Sequence, residues 1–343
     1  MIRDFKYHQK YCFFFIFLFT LISCSEEPKE EAPIENFFTS PSPISLGSIE
    51  ADFYQNLSYN GHERNVFDIF LPVSESPTPL VIFIHGGGFV GGDKSFAYEG
   101  LLDEQIQDLL ANNIAFATIN YQLVEIIGEQ SGIIKSMNDS KYCLQFIRHH
   151  SEFLNINPDQ IVLEGASAGA GTSLWLAMHP DMKEPESVDE ILRQSTRVSG
   201  SALWETQATY DLVKWDTHVF QDLNLNLLEQ ADTLIELKFA ILGFYGIQNL
   251  DQLFDPSTVA YRERVDMLGL FSFDDPPIWV NNSIYSEGIP TTSNDLTHHP
   301  LHVKAILEMS EEFFIEATCY APKIGIIDPD NEDVNQFIKR LLL

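Results

Sequence analysis

Residues Gln160–Thr172 read Q-I-V-L-E-G-A-S-A-G-A-G-T, and few local folds accept that order. The apolar run Ile161–Leu163 predicts a strand, and Ala168–Met178 has the composition of a helix. Gly165-Ala166-Ser167-Ala168-Gly169 leaves room only for a tight turn where the two meet. A turn that sharp holds its central residue in strained backbone geometry, and a side chain at either flanking glycine would collide with neighbouring elements. What the strain gains is a serine hydroxyl at the tip of the turn, open to a base on one side and a reactant on the other. Gly, Ala and Ser are common in loops, so five residues alone decide little. The rest of the chain must supply a base and hydrogen-bond donors for developing negative charge.

The first 48 residues bear on compartment rather than fold. Arg3, Lys6 and Lys10 precede the apolar run Cys12–Ile22, which is too short to span a bilayer, so residues 1–23 read as a signal peptide. Leu21-Ile22-Ser23-Cys24 resembles the lipobox of bacterial lipoproteins, in which the cysteine is acylated and becomes the mature N-terminus. An ordinary secretory signal that contains a cysteine is the plainer alternative. The lipobox resemblance implies lipidation at Cys24 and attachment to a membrane through that lipid. It also implies an exported protein on the outer membrane or cell surface, or facing the periplasm. Residues 24–48 read as an acidic tether, because Ser25–Asn36 is charged, Pro-containing and nearly free of apolar side chains.

Residues 49–343 are long enough for one large α/β domain. Asp52–Tyr59 and Asn65–Leu71 alternate apolar and polar around Asn60-Gly61, which predicts a hairpin. Leu80–Ile84, Ile114–Ile119, Gln160–Leu163, Arg197–Leu203, Pro277–Val280 and Ile315–Tyr320 predict further strands. Helical spacing separates several of them, over Tyr98–Ala111, Met137–His149, Ala168–Met178 and Pro300–Phe314, and again over Asn331–Leu342 after the last. Strands alternating with helices indicate a doubly wound, mostly parallel sheet. The stretch of about 205–270 breaks the alternation and is rich in apolar helix, notably Leu223–Phe244, which predicts a helical lid insertion over the carboxyl edge of the sheet.

Lys and Arg number 20 against 50 Asp and Glu, a formal charge of −30, and such a surface repels nucleic acid. Beyond Cys12 and Cys24 only Cys143 and Cys319 remain, too few for a disulfide framework or a cysteine metal cluster.

The strand Leu80–Ile84 runs into His85-Gly86-Gly87-Gly88-Phe89, whose glycines leave backbone N–H groups unobstructed. Read with Gly165-Ala-Ser-Ala-Gly, in this order, the pair resembles the esterase/lipase branch of the α/β-hydrolase fold, including hormone-sensitive-lipase-like carboxylesterases. The resemblance runs from about Asp52 to the C-terminus. It implies an α/β-hydrolase fold and a carboxylic-ester hydrolase that forms an acyl-enzyme at Ser167 on a small ester substrate without a cofactor. It also implies an oxyanion hole of Gly86, Gly87 and Ala168 and a structural His85. A deacetylase of esterified glycans would use the same machinery.

The chain departs from that family at the base. The usual histidine follows the last strand, yet Ala321–Asp333 contains none. The nearest supply is Asp295-Leu-Thr-His298-His299-Pro300-Leu301-His302. His299 and His298 are therefore the candidate bases, oriented by Glu287 or Asp295. Against this stand a helix-capping role for Asp295 or Thr297 with local histidines, and a metal site, for which no partner cluster is evident. An alternative for the whole chain is a catalytically impaired hydrolase-fold lipoprotein that binds a ligand or partner.

Overall fold

The computed structural model describes residues 38–343 apart from 101, 126, 127, 224, 234 and 286, and only the backbone of 230, 232, 233, 235 and 236. The signal peptide, Cys24 and most of the tether lie outside the described residues.

Among the described residues, the N-terminal part runs β1 (Ala51–Ser58), β2 (Val66–Pro72), β3 (Thr78–Ile84), α1 (Asp103–Ala111), β4 (Ala115–Ile119), α2 (Ile134–His149), α3 (Ser151–Leu154), β5 (Ile156–Ala166), α4 (Ala168–Met178) and β6 (Gly200–Trp204). A mainly helical segment follows, with α5 (Leu227–Thr233), α6 (Ile235–Tyr245), α7 (Pro256–Arg264) and α8 (Met267–Leu270). The chain then returns to the sheet with β7 (Ile278–Asn281), α9 (Ser293–Thr297), α10 (Leu301–Phe313), β8 (Ala317–Tyr320) and α11 (Val334–Leu342).

Eight strands form one sheet in the order β1-β2-β4-β3-β5-β6-β7-β8. The hairpin β1–β2 and its junction with β4 are antiparallel; from β4 across to β8 every neighbour is parallel. The central strands are apolar on both faces because helices cover both. Leu80–Ile84 of β3 and Ile161–Leu163 of β5 are all buried. On one face α11 packs against β5 and β6, where Phe337 and Ile338 are fully buried, each worth about 1.5–3 kcal/mol.

The order places β3 between β4 and β5, so the path away from β3 goes one way to β4 and the other way to β5. A crevice opens outside the carboxyl ends of strands at such a reversal. The turns that follow β3 and β5 therefore face each other across that crevice.

Two expected helices differ in extent. A 3-10 turn covers Lys94–Tyr98, and α1 starts only at Asp103, after Gly100 at φ +88°. Leu223–Phe244 is not one helix: the chain forms α5 and α6 in its place. Glu164, within β5, is completely buried, accepting from Trp204 Nε1 at 2.9 Å and Gln105 Nε2 at 3.0 Å, and burial lifts its pKa to about 7.

Candidate active site

Ser167 stands between β5 and α4 at φ +53° and ψ −118°, outside the regions open to a residue with a side chain. Its N–H donates to Trp204 O at 2.8 Å, and its C=O accepts from Gly171 N at 3.0 Å. The strained residue is thus held from the neighbouring strand and from its own helix. Small residues make the turn possible: a Cβ on Gly169 would overlap the Ile84 carbonyl at the end of β3. A longer side chain there would push α4 off the sheet.

The loop after β3 comes just as close. A Cβ on Gly86 would lie 2.8 Å from Ala166 O and 3.2 Å from Ser167 Cβ. Gly87, at φ +108°, turns the chain, and its carbonyl accepts from Val90 and Gly91 N–H at 3.1 Å. Beneath the loop His85 is fully buried, its ring stacked on Tyr121 at 4.3 Å and 17°. The Tyr121 hydroxyl donates to His85 O at 2.8 Å. Burial lowers the His85 pKa to about 4, so at neutral pH it is an uncharged brace for the glycine loop.

The histidine trio arrives from the other side, at the junction of α9 and α10. Its three members face three ways. His298 Nε2 lies 2.7 Å from Ser167 Oγ. His299, fully buried, sets Nε2 2.9 Å from Gly288 O and accepts from Leu301 N–H through Nδ1 at 3.2 Å. His302, also buried, accepts from Ala208 N–H at 3.1 Å and has Nε2 3.0 Å from Leu296 O. Of the two candidate bases, the structure brings His298 to the serine and turns His299 into local backbone bonding. Burial lowers the His298 pKa below its ordinary value, so the imidazole is neutral near pH 7 and its Nε2 is free to accept.

The two carboxylates expected beside the imidazole stand elsewhere. Asp295 closes a capping box with Thr292 at the start of α9 and accepts from Thr291 N–H and Oγ1. It satisfies helix-end donors, the role that Thr-x-x-Asp spacing suits. Glu287 is exposed, and its field acts on His299. The residues that do pack around His298 are Tyr285, stacked on the ring at 4.9 Å and 23°, and Thr297, whose hydroxyl is 3.3 Å from Nδ1. Among the described residues no group of three His, Cys, Asp or Glu could hold a metal ion.

A cavity of about 710 Å³ opens over Ser167 and His298. Gly87, Gly88 and Ala168 line it together with Phe89, Tyr210 and Trp215. Leu237, Ile241 and Phe244 of α6 also line it. Polar groups on its wall are few, among them Gln207, Asn294 and Thr297. Such a chamber takes an apolar group of a bound molecule and presents its polar end to the serine.

A family model, BD-FAE, matches residues 67–269. The chain belongs to this family of α/β-hydrolase esterases. A probable isoprenylcysteine alpha-carbonyl methylesterase of Arabidopsis thaliana is 26% identical over 186 residues, 52% of this chain and 37% of that protein. Gut esterase 1 of Caenorhabditis elegans is 26% identical over 147 residues, 41% of this chain and 25% of that one. The chain thus aligns with well under half the length of these relatives. A truncated carbohydrate esterase from gut microbiota shares the fold at a TM-score of 0.61 and 16% identity, covering 84% of this chain and 95% of its own.

Proposed function

We propose that the protein is a serine carboxylic-ester hydrolase, and the 2.7 Å approach of His298 Nε2 to Ser167 Oγ carries that reading. With its proton on Nδ1, His298 accepts the serine O–H through Nε2. Oγ then attacks the ester carbonyl carbon, the carbonyl electron pair moves onto oxygen, and the proton passes to Nε2. The N–H groups of Gly86, Gly87 and Ala168 are the donors to that oxyanion, and each such donor is worth about 3 kcal/mol in the transition state. Collapse of the intermediate breaks the bond to the alcohol oxygen, which takes the proton from Nε2. Water, deprotonated by the same imidazole, then attacks the acyl carbon; the bond to Oγ breaks, Ser167 takes the proton back from Nε2, and the acid leaves. The chemistry needs no cofactor.

The apolar cavity supports an ester carrying a sizeable apolar acyl or alcohol part over an acetylated sugar. Helices α5 and α6 act as the lid of that chamber. Residues 1–24 support export and lipidation at Cys24, which Cys24→Ala abolishes, as read by loss of metabolic labelling with a fatty acid.

The test uses the full chain with p-nitrophenyl acetate, butyrate and octanoate, together with a fluorophosphonate probe located by peptide mass spectrometry. Turnover that favours the longer acyl chains, with the probe on Ser167, is expected. A protein that turns over none of the esters and takes up no probe sinks the proposal.

A further inference from the structure

His298 gains a positive charge each time it takes the serine's proton, inside a largely apolar chamber. An imidazolium there is costly unless an anion faces it. The carboxylates on neighbouring segments do not meet that need: Asp295 is engaged at the start of α9, Glu287 is exposed beside His299, and Glu125 sits exposed at the cavity wall.

Glu205 differs from all three. It directly follows β6 and is the next residue after Trp204, whose carbonyl holds the Ser167 N–H. Its backbone is left-handed at φ +50°, which costs a non-glycine residue about 1 kcal/mol or more, and its N–H is fixed to Asn281 O at 2.8 Å. Its carboxylate reaches the turn after β7. Oε1 accepts from Ser283 N–H at 2.9 Å and Ile284 N–H at 3.1 Å, whereas Oε2 is buried and has no partner among the described residues. The turn it holds leads straight into Tyr285, the ring stacked on His298. Gln207 joins the same two regions, its Nε2 lying 2.9 Å from Thr297 O and 3.4 Å from Glu205 O.

We propose that Glu205 is the positioning carboxylate of His298: it fixes the Ser283–Tyr285 turn that lays Tyr285 on the imidazole, and its buried, unpartnered oxygen supplies negative charge to the imidazolium. The role rests on the serine-hydrolase reading above. In the resembled family the acid follows the strand matched by β7 and the base follows the last strand. Here both would come one strand nearer the serine, the acid after β6 and the base between β7 and β8. Burial raises the Glu205 pKa, opposed by its two backbone donors and the charge of Lys323, and the proton of the reaction shuttles only between Ser167 Oγ, His298 Nε2 and the leaving alcohol.

The test compares Glu205→Gln and Glu205→Asp in the full chain on p-nitrophenyl butyrate, measuring kcat and KM from pH 5 to 9. The Gln variant keeps an oxygen for the two backbone donors and removes only the charge. We expect its kcat to fall about 100-fold or more with KM within about threefold, and the acid limb of kcat/KM to move to lower pH. The Asp variant should regain about tenfold or more of that loss. In a His298→Ala background the Gln change should cost less than about twofold, since residues acting as one unit are not additive. A Gln variant within about threefold of the parent, with an unmoved acid limb, overturns the proposal, as does equal impairment of the Gln and Asp variants. If the Gln variant does not fold, the Asp variant decides: a loss as large as that of His298→Ala is contrary, and retained turnover supports the role. A parent that is inert and unlabelled would instead refute the hydrolase reading itself.

Discussion

The two sides of the crevice are built by different means. On the β3–β5 side, the elements are backbone: a serine at φ +53°, a glycine loop whose Gly86 has no room for a Cβ, and Gly169 against the Ile84 carbonyl. On the β7–α10 side, one imidazole reaches across, from a junction where consecutive histidines have different partners. Backbone that must approach backbone admits almost no substitution. A proton acceptor has only to reach the right point, and any loop on that edge of the sheet can carry it. The first side is therefore rigid in sequence as well as in space, and the second is free to move along the chain.

That contrast can be broken at either side. The largest effect belongs to Ser167: Ser167→Ala should lower kcat by about 10⁴–10⁶-fold and abolish fluorophosphonate labelling, with little change in melting temperature. Gly86→Ala comes next. Its methyl would press on Ala166 O and Ser167 Cβ, and the displaced N–H groups should reduce kcat by about 10²–10³-fold in steady-state assays. His299→Asn sharpens the comparison from the other side. Losing the bond to Gly288 O should cost about 1–3 kcal/mol in denaturant unfolding while kcat stays within about tenfold. Equal kinetic loss at positions 298 and 299 would mean that the two neighbours are not separated in role. The smallest effect is in pH. Protonated His298 cannot accept, so kcat/KM rises with pH through its folded pKa. Burial lowers that pKa, so the half-maximal point should fall below pH 6.5, whereas a solvated imidazole would put it at or above that value.

Much of the fold was legible because its strands are continuous apolar runs covered on both faces and its helices carry regular spacing. Ala168–Met178 coincides with α4, and the hairpin, β3 and the closing helix lie within a few residues of expectation. The start of α1 was missed where Gly100 adopts a positive φ that helical spacing does not register. The serine turn and glycine loop were legible for the steric reason given above. The histidine that reaches Ser167 was legible only to a pair. His298 and His299 occupy a non-helical junction before Pro300, where no period tells which of two adjacent side chains points inward. Asp295 reads equally well as acid or cap in the sequence, and the Thr292 capping box takes it. For the proposed role of Glu205 the sequence carries one signal, an acidic residue directly after a strand, on the edge that carries the serine.

The account stands or falls on the base lying between β7 and α10. His298→Gly in the full chain leaves a vacancy of imidazole size beside Ser167, and butyrate-ester turnover can be followed with and without added imidazole. We predict a fall in kcat of about 10³-fold and a recovery of about tenfold or more as imidazole fills the site, with no recovery in Ser167→Ala. Turnover by His298→Gly within about tenfold of the parent, unchanged by imidazole, would contradict the account and place the proton acceptor elsewhere.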